Sequence, residues 1–570
     1  MASLAGWMVS MPMVWAQDKP ASPASDASEP FENSSLNGET ALLILLAEMQ
    51  LNRGDFGAAY SMMFEAAKKT NDEGLYKRAV DIALSARNGN LALEAARQWK
   101  KAQPVSRTAN LHVLQILVAL NQLPESLMPL RAYVQLAPES EQVLLINGLP
   151  QIFAQAKDPE LAAAVVEQAL QPFVDKPLTA AASWTAIGRM QVSAKKPSQA
   201  LASVKKALAR QPDAMEPGFL ALELYAAGIA EAEDLLKTVL TDKSPPHLRL
   251  SYARALIDNQ RIALAKTQLQ SLNQSHPDFA DAWLLMGALT MEQLQYDEAK
   301  SALLRFIEIE KTKEDGRLSQ AYLMLSQIAT KEKKPAEAEA WLNKIEDPEA
   351  ATQVQVERAN VLASRGDIAK ARALLAQLPE NTPQAKRAKL QAELKLLRDH
   401  KLFQAAYELL RKAADAEPED LDLRYELAMM AEKINRIDEM EKLLRSVIAE
   451  RPSFEHAYNA LGYALADRNI RLKEARELIV QALDLAPEDP MITDSLGWVE
   501  FRMGNKQSAL AILQRAYETK NDVEIGTHLG EVLWSLGQKD KAIRIWREVA
   551  KQDARNELLQ ETLKRLKVKL

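Results

Sequence analysis

The stretch Phe454–Lys551 repeats one pattern three times. Its copies contain HAYNALGYALADR (456–468), ITDSLGWVEFRMGNKQSALAILQRAYE (492–518) and EIGTHLGEVLWSLGQKDKAIRIWREVA (524–550). When the copies are aligned on the glycine of the Leu-Gly pair, small residues recur at fixed offsets: Gly462, Gly497 and Gly530, then Gly504 and Gly537, then Ala509 and Ala542, then Ala516 and Val549. A repeat of about 34 residues with two helical halves predicts a stack of helix hairpins.

The small residues have a physical reason. The two helices of a hairpin cross closely, and Gly or Ala at two fixed positions lets their backbones approach. The first copy keeps this frame through Ala475, Ala482 and Pro487 if its loop holds one extra residue. A single hairpin cannot bury its apolar face, so neighbours must stack into a solenoid. The recurring residues therefore resemble the tetratricopeptide repeat (TPR), and a Gly497→Leu change should force the helices apart.

Length and composition agree with an array rather than one core. The chain has 570 residues, which is too long for a single compact core. Runs with the period-two alternation of strands are hard to find. The net charge of −6 argues against a nucleic-acid partner, because such binding depends on neutralising phosphates. The absence of cysteine excludes disulfides, thiolate catalysis and cysteine-bound metals.

The same frame extends over most of the chain, with poorer copies at 108–172 and 215–246, where prolines interrupt it. The predicted fold is all-α: a TPR superhelical solenoid of roughly fourteen helix hairpins. The predicted organisation is a signal-like segment at 1–16, a flexible tether at 17–37, a partly degenerate N-terminal array at 38–246, a C-terminal array at 247–555 and a capping helix at 556–570.

The first sixteen residues, MASLAGWMVSMPMVWA, are apolar and uncharged, and a Ser-, Pro- and Ala-rich stretch follows them. This pattern is typical of the end of a secretory signal peptide, although the first cation is Lys19 and the usual basic start is missing. We therefore expect export to the periplasm. If residues 1–16 are not a signal, the protein is cytoplasmic.

No motif for catalysis is found. The six histidines are scattered along the sequence, and HExxH, GxxxxGK[ST] and GxSxG are absent. We therefore predict a protein that is not an enzyme and that has no cofactor and no metal site.

A solenoid offers a long inner surface lined by the first helices of its hairpins. Counting from the glycine frame, we predict a partner-binding groove at Asn459, Tyr463, Asp494, Trp498, Phe501, Arg502, Glu531 and Trp534. Tyr, Trp and Arg are the residues that binding hot spots favour. The same aromatic residues would also suit packing against the next hairpin. The sequence leaves both interpretations open.

Several stretches resemble a narrower group, among them LAEMQLNRGDFGAAY, TDSLGWVEFRMGN and THLGEVLWSLGQKDKAIRIWREV. They are similar to exported proteobacterial TPR proteins whose best-known type is an outer-membrane lipoprotein of Pseudomonas. That type is the adaptor of a periplasmic carboxyl-terminal processing protease and also binds cell-wall hydrolases, the substrates of the protease. The resemblance implies an adaptor with these protein partners and peripheral association with the outer membrane. Trp7 stands where a lipid-bearing cysteine would be needed, so we expect no lipid anchor.

Two other roles stay open from the sequence. One is a scaffold for outer-membrane assembly or polysaccharide export, which would need contacts with outer-membrane proteins or glycan. The other is a cytoplasmic TPR assembly factor, which depends on residues 1–16 not being a signal.

Overall fold

The computed structural model describes residues 37–241, 244–313 and 317–570. Those residues form 31 α-helices and no β-strand, so the predicted all-α class is confirmed. The predicted signal-like segment and all of the predicted tether except Asn37 lie outside the described residues. Asn37 is the N-cap of the first helix, because its side chain accepts a hydrogen bond from the amide of Thr40 at 2.9 Å.

The described chain divides into two units, and the first ends at Ala282. Most of its helices pack as consecutive pairs. They are α1 (Gly38–Asn52), α2 (Phe56–Thr70), α3 (Glu73–Ser85), α4 (Gly89–Ala102), α5 (Arg107–Ala119), α6 (Leu127–Gln135), α7 (Glu139–Ile152), α8 (Pro159–Leu170), α9 (Ala180–Ser193), α10 (Pro197–Arg210), α11 (Met215–Ala226), α12 (Ala232–Val239), α13 (Pro246–Asp258) and α14 (Ile262–Ser275).

The second unit runs from Trp283 to Leu570. Its helices are α15 (Ala280–Glu292), which begins at the end of the first unit, α16 (Tyr296–Glu310), α17 (Leu318–Lys331), α18 (Pro335–Leu342), α19 (Ala351–Ser364), α20 (Ile368–Ala376), α21 (Pro383–Asp399), α22 (Phe403–Ala416), α23 (Leu421–Lys433), α24 (Ile437–Glu450), α25 (Glu455–Asp467), α26 (Leu472–Leu485), α27 (Pro490–Arg502), α28 (Lys506–Thr519), α29 (Val523–Ser535), α30 (Lys539–Ala550) and α31 (Glu557–Leu566).

The described residues form 31 helices, consistent with the roughly fourteen hairpins predicted, although α7 and α8 both pack mainly against α9. α13 and α14, which follow the predicted array boundary at residue 246, lie in the first unit. The predicted boundaries of the two arrays stay a prediction.

The glycines of the frame lie where the two helices of a hairpin cross. A Cβ atom on Gly497 would lie 2.6 Å from Cγ of Leu513, and one on Gly462 would lie 2.6 Å from Cγ1 of Ile479. Carbon atoms in contact prefer separations of about 3.5–4.0 Å, so these positions have no room for a side chain. The frame alanines Ala475, Ala509 and Ala542 are fully buried, as the spacing predicts.

Most hairpins turn through three residues, of which the middle one has a left-handed backbone. Glycine takes this place at Gly504 and Gly537, with φ of 92° and 79°. Lys195, Lys333 and Asn435 adopt the same conformation in other hairpins, which weakens the glycine signal there. The turn between α25 and α26 has four residues, so the extra residue inferred for the first copy is confirmed.

The stretch predicted to be irregular differs from the regular hairpins. A short 3₁₀ turn at Leu123–Ser126 precedes α6, which has nine residues, and Pro150 lies inside α7. Proline lacks the amide hydrogen that a helix interior needs, so it shortens or distorts the helices it enters.

The last helix packs on the final hairpin. Leu559 and Leu563 of α31 are buried in a cluster with Leu529 and Trp546. Its charged residues face outward, as the sequence predicts for a helix that ends a stack. Arg565 donates a hydrogen bond to Glu531 at 2.6 Å, and the start of α31 is held by an ion pair between Glu557 and Lys401.

None of the helices in the described residues is both long enough and apolar enough to span a bilayer.

Gly530 offers a test of the close crossing. A Cβ there would lie 2.3 Å from Nε1 of Trp546, whose N–H donates to the Thr527 carbonyl at 3.2 Å. Gly530→Ala should therefore lower the free energy of unfolding by about 1–3 kcal/mol, because the buried indole must move. Denaturant unfolding measures this change. Gly148→Ala is the control, since Gly148 is helical and nothing lies within 4 Å of its Cβ position. It should stabilise by about 0.5–1 kcal/mol. Equal effects of the two changes would show that the frame is misplaced.

Candidate functional site

The eight residues of the predicted groove lie on three consecutive first helices of the second unit. They are Asn459 and Tyr463 on α25, Asp494, Trp498, Phe501 and Arg502 on α27, and Glu531 and Trp534 on α29. Residues one helical turn apart share a helix face, so each helix presents its set to the next. The structure brings three of these side chains together around His528, which the sequence analysis did not select.

His528 is the centre of this cluster. Its Nδ1 lies 3.0 Å and 2.9 Å from the two carboxylate oxygens of Asp494, and its Nε2 lies 3.4 Å from the hydroxyl of Tyr463. The imidazole stacks on the indole of Trp498, with ring centroids 4.3 Å apart and planes at 22°. One side chain therefore joins α25, α27 and α29.

Three side chains of the cluster are closed to solvent, and the fourth, Tyr463, is half-buried. His528 is 2% exposed, and Asp494 and Trp498 are each 3% exposed. Burial by itself lowers the pKa of His528, but the charge and hydrogen bond of Asp494 outweigh it, and the pKa is raised above the ordinary histidine value. Burial also raises the pKa of the Tyr463 hydroxyl, which therefore stays protonated.

Two polar atoms of the predicted groove have no hydrogen-bond partner among the described residues. They are Oδ1 of Asn459 and Nε1 of Trp498. The ring of Phe501 lies 5.4 Å from that of Trp498, and the guanidinium of Arg502 lies 5.6 Å from the Trp498 ring centroid. Trp498 is thus covered by the imidazole, the phenyl ring and the guanidinium of the chain itself.

Glu531 and Trp534 do not join the His528 cluster through a direct contact. Glu531 is buried and accepts the hydrogen bond from Arg565 described above. Trp534 is half-buried, with its ring centroid 5.8 Å from that of Trp546 and the Lys539 ammonium 5.0 Å from its own ring centroid. The aromatic residues pack within the chain, and their role in binding a partner stays a prediction.

His528 was missed because the six histidines are scattered along the sequence and no two of them are close neighbours. It follows Asp494 by 34 residues, which is one repeat, so the two side chains occupy neighbouring helices at similar heights. An acidic residue and a histidine one repeat apart on first helices is the signal that would have found this pair.

The cluster has the residue types of a catalytic acid–base pair, but its imidazole is not accessible from solvent. Nε2 of His528 faces Tyr463, and the imidazole is 2% exposed. In the part of the chain that the structure describes, no three His, Asp or Glu side chains converge on a point that could hold a metal ion.

The comparisons with known proteins agree with this repeat architecture. A family model described as tetratricopeptide repeat matches residues 352–377. The TPR repeat-containing protein PA4667 of Pseudomonas aeruginosa is 35% identical over 211 residues, or 37% of this chain. The chain therefore contains tetratricopeptide-repeat sequence. The match spans 36% of the length of that Pseudomonas relative.

Two solved structures are among those similar to this chain. The Cut9–Hcn1 hetero-tetramer of the APC/C matches with 14% identity and a TM-score of 0.30, over 93% of this chain and 96% of that one. Yeast Tom70 matches with 12% identity and a TM-score of 0.32, over 93% of this chain and 95% of that one.

The His528–Asp494 pair predicts a pH-dependent stability. Because the folded-state pKa of His528 is raised, its contribution is fully present below the ordinary histidine value of about 6.5 and is lost as pH rises through the folded pKa. His528→Gln should lower the free energy of unfolding by about 1.5–3 kcal/mol at about pH 6 and by less at higher pH. Denaturant unfolding at several pH values checks this.

His456→Gln is the matched control, because it removes an exposed imidazole from α25. It should change the free energy of unfolding little at any pH. A His528→Gln effect that stays constant or grows as pH rises would contradict the assignment of the charged pair.

Proposed function

We propose that this TPR protein is a non-enzymatic adaptor of the bacterial cell envelope that brings a periplasmic carboxyl-terminal processing protease to its substrates. The observation that carries the proposal is the repeat architecture itself. Stacked TPR hairpins serve protein–protein interaction, and a long array offers separate surfaces to two partners at once. The stretches that resemble exported proteobacterial adaptors, and the similarity to a Pseudomonas TPR protein, support the choice of this partner.

The mechanism that we propose is proximity. One surface of the array holds the protease and another holds a cell-wall hydrolase. Linkage through one chain then turns the second binding event into an intramolecular one. Such linkage raises the effective concentration and increases apparent affinity by about 10²–10⁴-fold without any new contact.

Capture from the periplasm of the source organism tests the partner. The chain from Gln17 to Leu570 is the bait, and recovered proteins are identified by mass spectrometry. We expect a processing protease together with cell-wall hydrolases. Recovery of outer-membrane assembly or polysaccharide-export components would instead favour the envelope scaffold, and partners found only in cytoplasmic extract would favour the assembly factor.

A purified assay tests the role directly. The protease should degrade a captured hydrolase at least about tenfold faster when this chain is present, because linkage raises the local substrate concentration. The rate should fall again at a large excess of the chain, since protease and substrate then occupy separate molecules. A rate independent of the chain would overturn the adaptor role.

The predicted groove is tested with two tryptophans of the second unit. Trp534→Ala removes a half-buried indole from a first helix, and Trp341→Ala removes a half-buried indole from a second helix. Each indole has a lysine ammonium over its ring, at 5.0 Å and 4.0 Å respectively. We expect Trp534→Ala to reduce capture of a partner by at least about tenfold, the effect of losing one aromatic hot spot, and Trp341→Ala to leave capture unchanged. Equal capture by both variants, at equal thermal stability, would place the binding surface elsewhere.

A further inference from the structure

The inner face of α25, α27 and α29 is closed by the side chains of the chain itself. His528 bridges Asp494 of one neighbouring helix and Tyr463 of the helix beyond it, and its ring covers Trp498. Three of the residues predicted to receive a partner, Tyr463, Asp494 and Trp498, therefore help to close the face. What opens this face decides whether it can bind anything.

The charged side chains around His528 are mainly acidic. Asp494 faces it from α27, the Tyr463 hydroxyl faces it from α25, and Glu524 and Glu531 lie on its own helix. Glu531 is neutralised by Arg565 of α31. Asp494 has no lysine or arginine partner in the described residues, so His528 is its one counter-ion there.

The closed state therefore depends on the proton of His528. A buried carboxylate next to an imidazolium is neutralised and hydrogen-bonded. When the imidazole loses its Nε2 proton, Nδ1–H still donates to the carboxylate, but the carboxylate is left buried without an opposite charge, which is unfavourable. Entry of water relieves that state, and water enters only if the rings of Tyr463, Trp498 and His528 separate.

We propose that His528 is a proton-dependent lock on the inner face of α25, α27 and α29. With the imidazolium paired to Asp494, the face is closed. With neutral His528, the face opens and presents the Asp494 carboxylate between the rings of Tyr463 and Trp498. A carboxylate among aromatic rings suits a lysine or arginine side chain of a partner segment, which replaces His528 as the counter-ion. This regulation rests on the proposed adaptor function, whereas the lock itself does not.

Fluorine NMR on the full chain labelled with 5-fluorotryptophan tests the lock without any partner. The chain has nine tryptophans, and the resonance lost in Trp498→Phe identifies Trp498. Its shift difference between H₂O and D₂O reports contact with water. We expect no such difference at about pH 6 and a clear one at about pH 9.5, which is about three units above the ordinary histidine pKa of about 6.5. A Trp498 resonance that is equally protected at both pH values would overturn the proposal.

Two variants separate the lock from a general loosening of the fold at high pH. His528→Gln removes the counter-ion at every pH, so Trp498 should contact water throughout. Asp494→Asn removes the charge that needs a counter-ion, so Trp498 should stay protected at both pH values. Opening of Asp494→Asn at high pH to the same extent as the unmodified chain would show that Asp494 plays no part.

The capture assay then links the lock to binding. Partner recovery by the unmodified chain should be several-fold higher at high pH than at about pH 6. His528→Gln should capture equally at both pH values. If the fluorine transition is observed but no protease is captured, the lock is supported and the proposed function is wrong. If the protease is captured but no fluorine transition is observed, the proposed function is supported and the lock is wrong.

Discussion

The close crossing of two helices within each hairpin is the constraint on which the structure depends. At Gly462, Gly497 and Gly530 the second helix leaves no room for a Cβ atom. This approach lets Ile479, Leu513 and Trp546 fill the space over the first helix and bury the apolar face that neither helix could bury alone. The repeat length and the position of the inner face follow from it.

Hairpins are joined by two kinds of polar contact with different consequences. On exposed surfaces, ion pairs between consecutive hairpins are common, and the hydrogen bonds from Arg471 hold the pKa of Glu441 down at about 2. Exposed pairs of this kind contribute about 0–1 kcal/mol each. The Asp494–His528 pair is buried, so the state of one proton matters far more there. The exposed pairs therefore guide the stacking of hairpins, whereas the buried pair ties the fit between first helices to pH.

The inner face of the last hairpins combines binding chemistry with self-packing. Arg502 over Trp498, Lys539 over Trp534 and Arg565 on Glu531 place the chain's own cations on its aromatic and acidic groups. A partner that binds such a surface must first displace these internal cation contacts, and their loss reduces the net free energy of binding. In the proposed lock, this exchange keeps the face closed until a partner or a proton shift changes the balance. The proposed partner is cationic, because the internal occupants are cations.

The sequence by itself determined the hairpin repeat, its small-residue frame, the extra turn residue before α26 and the final helix, because each follows from local spacing along the chain. It also placed the eight groove candidates on the first helices of three consecutive hairpins, where the structure has them. It did not reveal His528, and it left open whether Trp498 faces a partner or its own chain. Only the tertiary structure decided that Asp494, His528, Tyr463 and Trp498 meet. These residues lie on the first helices of three consecutive hairpins, so their contact depends on how the hairpins stack. The spacing of residues within one helix does not determine the distance between side chains of different hairpins.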